Sequence, residues 1–426
     1  MIEPKLRFKA DDGSQFPDWE EKTFNDVADY KKGPFGSALK KEIFVPKSND
    51  TVKVYEQQNA ISKDWKLERY FVTNEYFQSK MKSFAVSGGD IIVSCAGTIG
   101  EMYELPDDAE EGIINQALMR VRIKKSVINS MIFRCVFDKM ISTEGVKISN
   151  GSALKNIPPF ADMKKQSVFV PSLPEQQKIA EFLSTVDTVI EKQKETVYAW
   201  EERKKGVMQK LFSQEVRFKA DDGSEFPDWE EKSFSDVFEN LNNSTFSRDC
   251  LNYEAGNVKY IHYGDILTKF GFAIDVQSSN VPYVNDDLDC EKYASLSDGD
   301  IVIADTAEDD TVGKAVEIMN THCGKTISGL HTIACHPKEK FASKYLGYFM
   351  NADIYHNQLR PYMQGIKVTS VSKTNIALTK ILVPCLVEQQ KIADCLSSLD
   401  EVIEKQKATL AAWEEMKKGL LQQMFV

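Results

Sequence analysis

The chain has 426 residues, of which 42% are hydrophobic and 27% charged, and its formal net charge is -11. This composition agrees with a large soluble protein and excludes a membrane span, because no run of about 18 apolar residues occurs. The N-terminal segment also lacks the apolar stretch of a signal peptide, so a cytoplasmic location is predicted.

Two segments of the chain occur twice. Residues 7–27 return as residues 217–237 with about 18 of 21 positions identical, and residues 175–212 return as residues 388–425 with about 25 of 38 identical. The long segments between these repeats barely resemble each other. This pattern predicts two different recognition heads on one duplicated frame, related by a pseudo-twofold internal repeat.

The first head is predicted to be a mixed α+β domain that is rich in short strands. Its apolar runs at residues 52–55, 90–95 and 117–123 are typical of strands, and residues 126–144 of a helix.

Polar residues of the first head form a candidate DNA-reading set. The loop at residues 31–41 is basic and glycine-rich, which suits phosphate contact, and amide side chains can offer a donor and an acceptor to an adenine edge. For any single residue an ordinary solvated loop explains it equally well, but together they favour contact with DNA. The predicted contacts are Lys31, Lys32, Ser37, Lys40, Gln57, Gln58, Asn59, Gln116, Ser152 and Lys155.

The segment at residues 175–212 is predicted to form a long helix. Apolar residues recur in steps of four and three, as in a coiled-coil seam, and the polar interruptions Gln193 and Lys204 return as Gln406 and Lys417. We therefore predict that the two copies pair antiparallel in one register, each about 57 Å long. The alternative is that each helix only covers its own head. The predicted seam includes Ile190, Val197, Trp200, Val207, Ile403, Leu410, Trp413 and Leu420.

The second head is predicted to share the fold of the first, because the sequences GGDIIV and DGDIVI match. Residues 258–261, 299–304 and 332–335 are its predicted strands, and residues 341–359 are predicted to be helical. The residues predicted to contact DNA are Tyr263, Lys314, His331, Gln364 and Lys367.

Charge is unevenly distributed along the chain. Residues 28–171 carry about +4, residues 238–385 about -5, and the remainder about -10. The excess of acidic over basic residues is thus concentrated in the repeated frame. A DNA-binding face is plausible on the first head, whereas the second head would have to segregate its charges.

Other chemistry finds little support in the sequence. The eight cysteines never pair as CxxC, and the spacing of His322, Cys323, His331, Cys335 and His336 matches no common zinc site, so core and loop roles are favoured over metal. Residues 156–160 resemble a methyltransferase motif but carry an inserted isoleucine, and residues 324–326 lack the glycine that a phosphate loop requires upstream. The sequence therefore favours a reader without catalytic chemistry.

Several of these motifs together resemble the specificity (S) subunit of type I restriction-modification systems. The matching features are the W-x-x-K-x-F-x-D-V segments that start at Trp19 and Trp229, the GDI strands, the GTIG sequence at residues 97–100, and the two EQQKIA helix starts. The second head departs from GTIG, which leaves its contact positions less defined. The resemblance adds Thr98 to the predicted DNA contacts.

The resemblance implies target recognition domains at residues 1–171 and 215–384, a central helical spacer at residues 172–214, and a C-terminal helix at residues 385–426. Each domain would read one half of a bipartite site on double-stranded DNA. It also implies two modification (methyltransferase) subunits that bind S-adenosylmethionine, and restriction (motor-nuclease) subunits that use ATP and Mg. No cofactor is expected in this chain. Two other functions stay open: a self-sufficient DNA methyltransferase or nuclease, and a coiled-coil interaction scaffold.

Overall fold

The computed structural model of the chain describes residues 4–148, 159–322, 324–365 and 368–425. The chain forms two compact units, one made of Met1–Lys192 and Leu410–Val426, the other of Gln193–Thr409. Among the described helices, none combines the length and the apolar character needed to cross a membrane. The predicted contacts Ser152, Lys155 and Lys367, together with Cys323, lie outside the described residues.

The first unit is a mixed α and β structure. Its strands are β1 Glu20–Thr23, β2 Ala28–Lys32, β3 Thr51–Tyr55, β4 Tyr70–Thr73, β5 Ala85–Val86, β6 Ile91–Ser94, β7 Met102–Glu104, β8 Gly112–Ile114, β9 Leu118–Ile123 and β10 Ser167–Val170. Its α-helices are α1 Phe24–Val27, α2 Gln57–Ile61, α3 Asn74–Tyr76, α4 Ser130–Ile148, α5 Phe160–Lys165, the first half of α6 Leu173–Phe212 and the end of α12 Leu386–Met424.

Two four-stranded sheets carry the first head. One is antiparallel in the order β2-β9-β6-β7, and the other has the order β4-β3-β8-β5, with β3 and β8 parallel. All four residues of β6 are buried, which explains why this strand is a continuous apolar run rather than an alternating one. A two-stranded ladder of β1 and β10 ties the repeated N-terminal segment to the end of the head.

The second unit repeats this plan with extra strands. Its strands are β11 Glu230–Ser233, β12 Phe238–Asn240, β13 Leu251–Asn252, β14 Val258–Ile261, β15 Ala273–Asp275, β16 Tyr283–Val284, β17 Ile301–Ala304, β18 Thr306–Ala307, β19 Ala315–Met319, β20 Lys325–Ser328, β21 Thr332–Pro337, β22 Thr369–Ser370 and β23 Lys380–Val383. Its α-helices are the second half of α6, then α7 Phe234–Val237, α8 Tyr263–Thr268, α9 Tyr345–Met350, α10 Asp353–Leu359, α11 Lys373–Ile376 and the first part of α12 Leu386–Met424.

The sheets of the second head have the orders β12-β21-β17-β19-β15 and β13-β16-β14-β20, with a separate β18-β22 pair. Strand β17 is fully buried, as its counterpart β6 is. The predicted mixed fold of both heads is confirmed, although the segment predicted as helical at residues 341–359 holds two short helices rather than one.

The first residue of each EQQKIA sequence is a buried carboxylate with the same partners in both units. In the first unit Glu175 is fully buried and accepts hydrogen bonds from Arg7 Nε at 3.1 Å, from Arg7 Nη2 at 2.9 Å and from Trp19 Nε1 at 3.2 Å. In the second unit Glu388 accepts the same bonds from Arg217 and Trp229. The repeated N-terminal segment is therefore fastened to the start of each long helix.

The side chain of the second residue of EQQKIA forms hydrogen bonds with backbone groups. The amide nitrogen of Gln176 donates to the carbonyl oxygens of Pro171 and Val127, and its Oε1 accepts from the Asn129 backbone at 2.6 Å. Gln389 makes the equivalent bonds to Pro384 and Ala342. The start of each helix is thereby joined to the head that precedes it.

Within each unit the two long helices pack antiparallel, as predicted. In the first unit Lys417 Nζ lies 2.5 Å from Asp187, and in the second unit Lys204 Nζ lies 2.5 Å from Asp400. The two ion pairs are equivalent, because in each of them the lysine of one repeated helix pairs with the aspartate of the other. The polar interruptions at Lys204 and Lys417 thus pair with aspartates of the other helix.

The seam residues differ in burial. Ile190, Val197 and Ile403 are buried, whereas Trp200, Val207, Leu410, Trp413 and Leu420 are half-buried. In the second unit the amide nitrogen of Gln193 donates to Gln406 Oε1 at 2.8 Å and to the Gln406 carbonyl oxygen at 3.0 Å. This pair occupies the seam where an apolar contact would otherwise stand.

Replacing one glutamine of this pair is expected to lower the free energy of unfolding more than replacing both. The substitution Gln193→Leu should lower the free energy of unfolding by about 1 kcal/mol, because it leaves a half-buried Gln406 amide without its donor. The double substitution Gln193→Leu, Gln406→Leu should return the free energy to within about 0.5 kcal/mol of the original chain. Urea unfolding of the three chains measures both values, and a double substitution that lowers the free energy of unfolding more than Gln193→Leu does would contradict the pairing.

Candidate nucleic-acid interface

Three segments of the first head that carry predicted contacts lie side by side. The end of β3, which leads into α2, joins the turn at residues 115–117 through the bond from Asn115 N to the Tyr55 carbonyl oxygen at 3.0 Å. The loop after β6 joins the same turn through the bond from Cys95 N to the Ala117 carbonyl oxygen at 2.8 Å. A Cβ at Gly97 would lie 3.4 Å from the Gln57 amide nitrogen. The fold thus brings Gln57, Thr98 and Gln116 to one edge of the head.

The basic loop after β2 lies against the same turn. Gly33 donates its backbone N–H to the Leu118 carbonyl oxygen at 2.8 Å, and a Cβ at Gly33 would lie only 1.8 Å from the Asn115 carbonyl oxygen. Glycine is therefore required for this close approach. Lys31 and Lys32, predicted to lie in this loop, are instead the last residues of β2. Lys32 and the loop residues Ser37 and Lys40 are exposed, whereas the Lys31 ammonium lies 4.6 Å from the centre of the Phe84 ring.

Asn59 holds the head together instead of facing solvent. It is 3% exposed, its Oδ1 accepts from Glu56 N at 2.8 Å, and its amide nitrogen donates to the carbonyl oxygens of Asp64 and Leu67, both at 2.9 Å. These bonds leave the amide no free edge for a base. The neighbouring Gln58 is exposed and donates to Ser62 Oγ at 2.6 Å.

The second head assembles the corresponding segments around His331. The rings of Tyr263 and His331 meet edge to face with centres 5.3 Å apart, and His331 Nδ1 lies 3.5 Å from Asp305 Oδ1 and 3.4 Å from Thr306 Oγ1. Residue 331 has a φ of 55°, a left-handed conformation that costs energy in any residue other than glycine. The fold thus holds this histidine in a turn that directs it beside Tyr263.

Gln364 is exposed at the same place. Its backbone N–H donates to the Ser370 carbonyl oxygen at 3.1 Å, and Ser370 pairs with Thr306 in the β18-β22 ladder. Tyr263, His331 and Gln364 are therefore brought to one edge of the second head.

Lys314 has a different position from these three. Its ammonium donates to the carbonyl oxygens of Leu267 at 3.2 Å and Phe270 at 2.9 Å, and burial lowers the pKa of the group. The side chain thus satisfies carbonyl groups at the end of α8, and this arrangement does not favour contact with phosphate.

A cationic cluster in the second head was not predicted from the sequence. Asp265 is 1% exposed and pairs with Arg248, through two bonds of 2.9 Å, and with Lys269 at 2.9 Å. The Tyr253 hydroxyl accepts from both cations, at 3.0 and 2.9 Å. Burial alone would raise the pKa of Asp265, but the bonds from the two cations outweigh it and hold the pKa below its usual value.

This cluster is continuous with the Tyr263 edge. A Cβ at Gly264 would lie 3.8 Å from Arg248 Nη2, and the ring of His262 stacks on that of Tyr263 with centres 4.7 Å apart. Burial lowers the pKa of His262, whose Nδ1 accepts from Gly264 N at 3.0 Å. The acidic second head thus gathers exposed positive charge next to its predicted contacts. The spacing of Asp265 and Lys269 was a detectable signal, but nothing in the sequence connected Arg248 to them.

Comparison with known proteins gives one consistent result. The family model for the type I restriction modification DNA specificity domain matches residues 17–197 and again residues 227–412. Each match contains one head and the first part of the helix that follows it. The comparisons support neither a self-sufficient methyltransferase or nuclease nor a coiled-coil scaffold.

Individual relatives agree with the family model. The chain is 22% identical over 451 residues to the type I restriction enzyme MjaVIII specificity subunit of Methanocaldococcus jannaschii, a match that covers 97% of this chain and 94% of that protein. It is 26% identical over 267 residues to the putative type I restriction enzyme MjaX specificity subunit of the same organism, covering 61% and 58%. A solved chain from work on complex assembly and conformational transition of the type I R-M system matches with a TM-score of 0.56 and 15% identity, covering 96% and 97%. At that identity the likeness shows the fold alone.

Proposed function

This chain belongs to the type I restriction modification DNA specificity family, and from that premise we propose that each head reads one half of a bipartite, asymmetric site on double-stranded DNA. The observation that carries the proposal is the equivalent edge in the two heads. In both, the start of a short helix lies beside the turn that leads into the strand pairing with β6 or β17. The side chains there differ, with Gln57 and Gln116 in one head and Tyr263 and His331 in the other.

The polar groups on these edges suit DNA. Amide side chains such as Gln57 and Gln116 can pair with adenine edges, and the exposed cations Lys32, Lys40, Arg248 and Lys269 can pair with phosphates. We therefore retain Gln57, Thr98, Gln116, Tyr263, His331 and Gln364 as proposed contacts, and we add Arg248 and Lys269. Asn59 and Lys314 are assigned to the support of the heads.

The duplicated frame is proposed to bind two modification subunits. The two frame copies are identical at about 18 of 21 and 25 of 38 positions, and the Arg–Glu–Trp contacts that fasten them are the same, which supports two equivalent partners. Those subunits would carry S-adenosylmethionine and perform adenine methylation. Restriction subunits that use ATP and Mg would complete the nuclease.

On this proposal the chain itself is not catalytic and carries no cofactor. It supplies sequence recognition and the spacing between the half-sites, and it acts in the cytoplasm, where the DNA is. Neighbouring subunits supply the chemistry.

Mapping methylated adenines tests the proposal. DNA from cells that produce this chain with its modification subunits should carry methylation at a two-part, asymmetric sequence with a fixed spacer. Methylation by the purified chain alone, or methylation without a two-part motif, would refute the assignment.

A further inference from the structure

One side chain of the first head is unusually exposed for its chemistry. Phe35 has 89% of its surface exposed, more than any other large apolar side chain among the described residues. Exposing a phenylalanine to water is unfavourable, and a large apolar side chain left outside is informative when its position is fixed.

The loop that carries Phe35 is held on both sides. Gly33 is bonded to Leu118, Pro34 is buried, and Leu39 is only 7% exposed. The Phe35 carbonyl oxygen accepts from Ala38 N at 2.8 Å and starts the 3-10 turn Gly36–Ala38. The ring therefore projects from a supported turn.

The surroundings of Phe35 favour an anionic partner. Lys40 and Lys41 in the same loop and Lys32 at the end of β2 are exposed, and the loop packs on the turn that carries Gln116. An apolar ring among lysines, beside residues that can read bases, is the arrangement of an aromatic wedge in a nucleic-acid interface.

We propose that Phe35 inserts its ring against the base stack of the half-site bound by the first head. The inference rests on the proposed function and deepens it, because it assigns shape-dependent recognition to a residue outside the predicted contacts. The ring would stack on a base at a step that opens on binding, while the neighbouring lysines hold the phosphates.

The second head provides a matched position without the ring. Phe35 and Thr245 stand at the same distance from the ends of the repeated segment at Val27 and Val237, and both are exposed next to a buried residue, Pro34 or Ser244. A wedge is therefore assigned to the first head alone.

The test uses the chain assembled with its modification subunits and two DNA duplexes. One duplex contains the motif identified by mapping methylated adenines, and the other has a random sequence. The substitution Phe35→Ala should weaken binding to the motif about tenfold, the loss of one aromatic–base stack. Binding to the random duplex should change less than twofold, because phosphate contacts dominate it. Phe35→Trp should keep most of the affinity, and Thr245→Ala should change it less than twofold.

Two results would overturn the inference. One is motif binding by Phe35→Ala within twofold of the original chain. The other is loss of assembly with the modification subunits in the absence of DNA, which would assign Phe35 to a protein interface. If the original complex showed no preference for the motif over random DNA, the proposed function itself would fail, a result distinct from either of these.

Discussion

Replacing Glu388 by alanine is expected to lower the free energy of unfolding of the second unit by about 3 kcal/mol. The Glu388 carboxylate is fully buried and accepts bonds of 3.0 and 2.8 Å from Arg217 and of 2.9 Å from Trp229 Nε1. The substitution removes all three bonds and leaves a guanidinium that is only 19% exposed without its counter-ion. Urea unfolding of the two chains measures the loss.

An exposed glutamate on the same helix provides the control. Glu401→Ala should change the free energy of unfolding by less than about 0.5 kcal/mol, since surface substitutions away from special contacts have small effects. Glu175→Ala should act on the first unit as Glu388→Ala acts on the second. A loss below 0.5 kcal/mol for Glu388→Ala would show that the carboxylate does not fasten the repeated segment to α12.

Replacing Arg248 by alanine is expected to have the largest effect on DNA binding by the second head. Arg248 is 44% exposed beside Tyr263 and is held in place by Asp265. In the assembled complex, Arg248→Ala should weaken binding to the methylated motif about tenfold. It should also reduce the slope of log affinity against log salt concentration by about one, because one phosphate contact is lost. Titrations at several salt concentrations measure both quantities.

Two further substitutions separate charge from local structure. Arg248→Lys keeps the positive charge and should keep the salt slope. Asp249→Ala, at the exposed neighbouring residue, should not weaken binding. If Arg248→Ala binds with unchanged affinity and slope, the cationic cluster does not contact DNA.

The pairing of the two long helices was predictable because it follows from the spacing of apolar and polar residues in the repeated segment. Two copies of one heptad pattern, with polar interruptions in the same places, predicted an antiparallel pair, and the pairing of Gln193 with Gln406 confirms the register. Three strands of each head were also predictable, because β6, β17 and the strands β3, β9, β14 and β21 contain short apolar runs. The sequence did not indicate that Glu175 and Glu388 are the buried acceptors, since their partners lie far away in the chain.

For the edges of the heads, the sequence predicted which segments lie together but not which side chains face solvent. Gln57, Thr98 and Gln116 lie on adjacent segments. Asn59, two residues after Gln57, is turned inward because it caps the start of α2. An amide that reads a base and an amide that caps a helix have the same chemistry, so residue type could not separate them. Lys314 shows the same ambiguity for a charge, since carbonyl oxygens of the protein take the place of phosphate.

The role of Arg248 shows what a count of charges misses. The second head is acidic as a whole, which argued against DNA, yet the buried Asp265 organises two exposed cations at one edge. Three-dimensional segregation of charge depends on contacts between residues 248, 265 and 269, and the first of these lies 17 residues before the second. Local electrostatics, more than net charge, decides where an anion can bind.

The division of labour between frame and heads is the central claim, and exchanging one head tests it most directly. Residues 28–171 are replaced by the corresponding segment of a relative whose complex methylates a different sequence. Methylated adenines are then mapped in cells that contain the modification subunits. We expect one half of the two-part motif to change while the other half and the spacer length stay the same. A change in both halves, or an unchanged motif, would contradict the assignment of one half-site to each head.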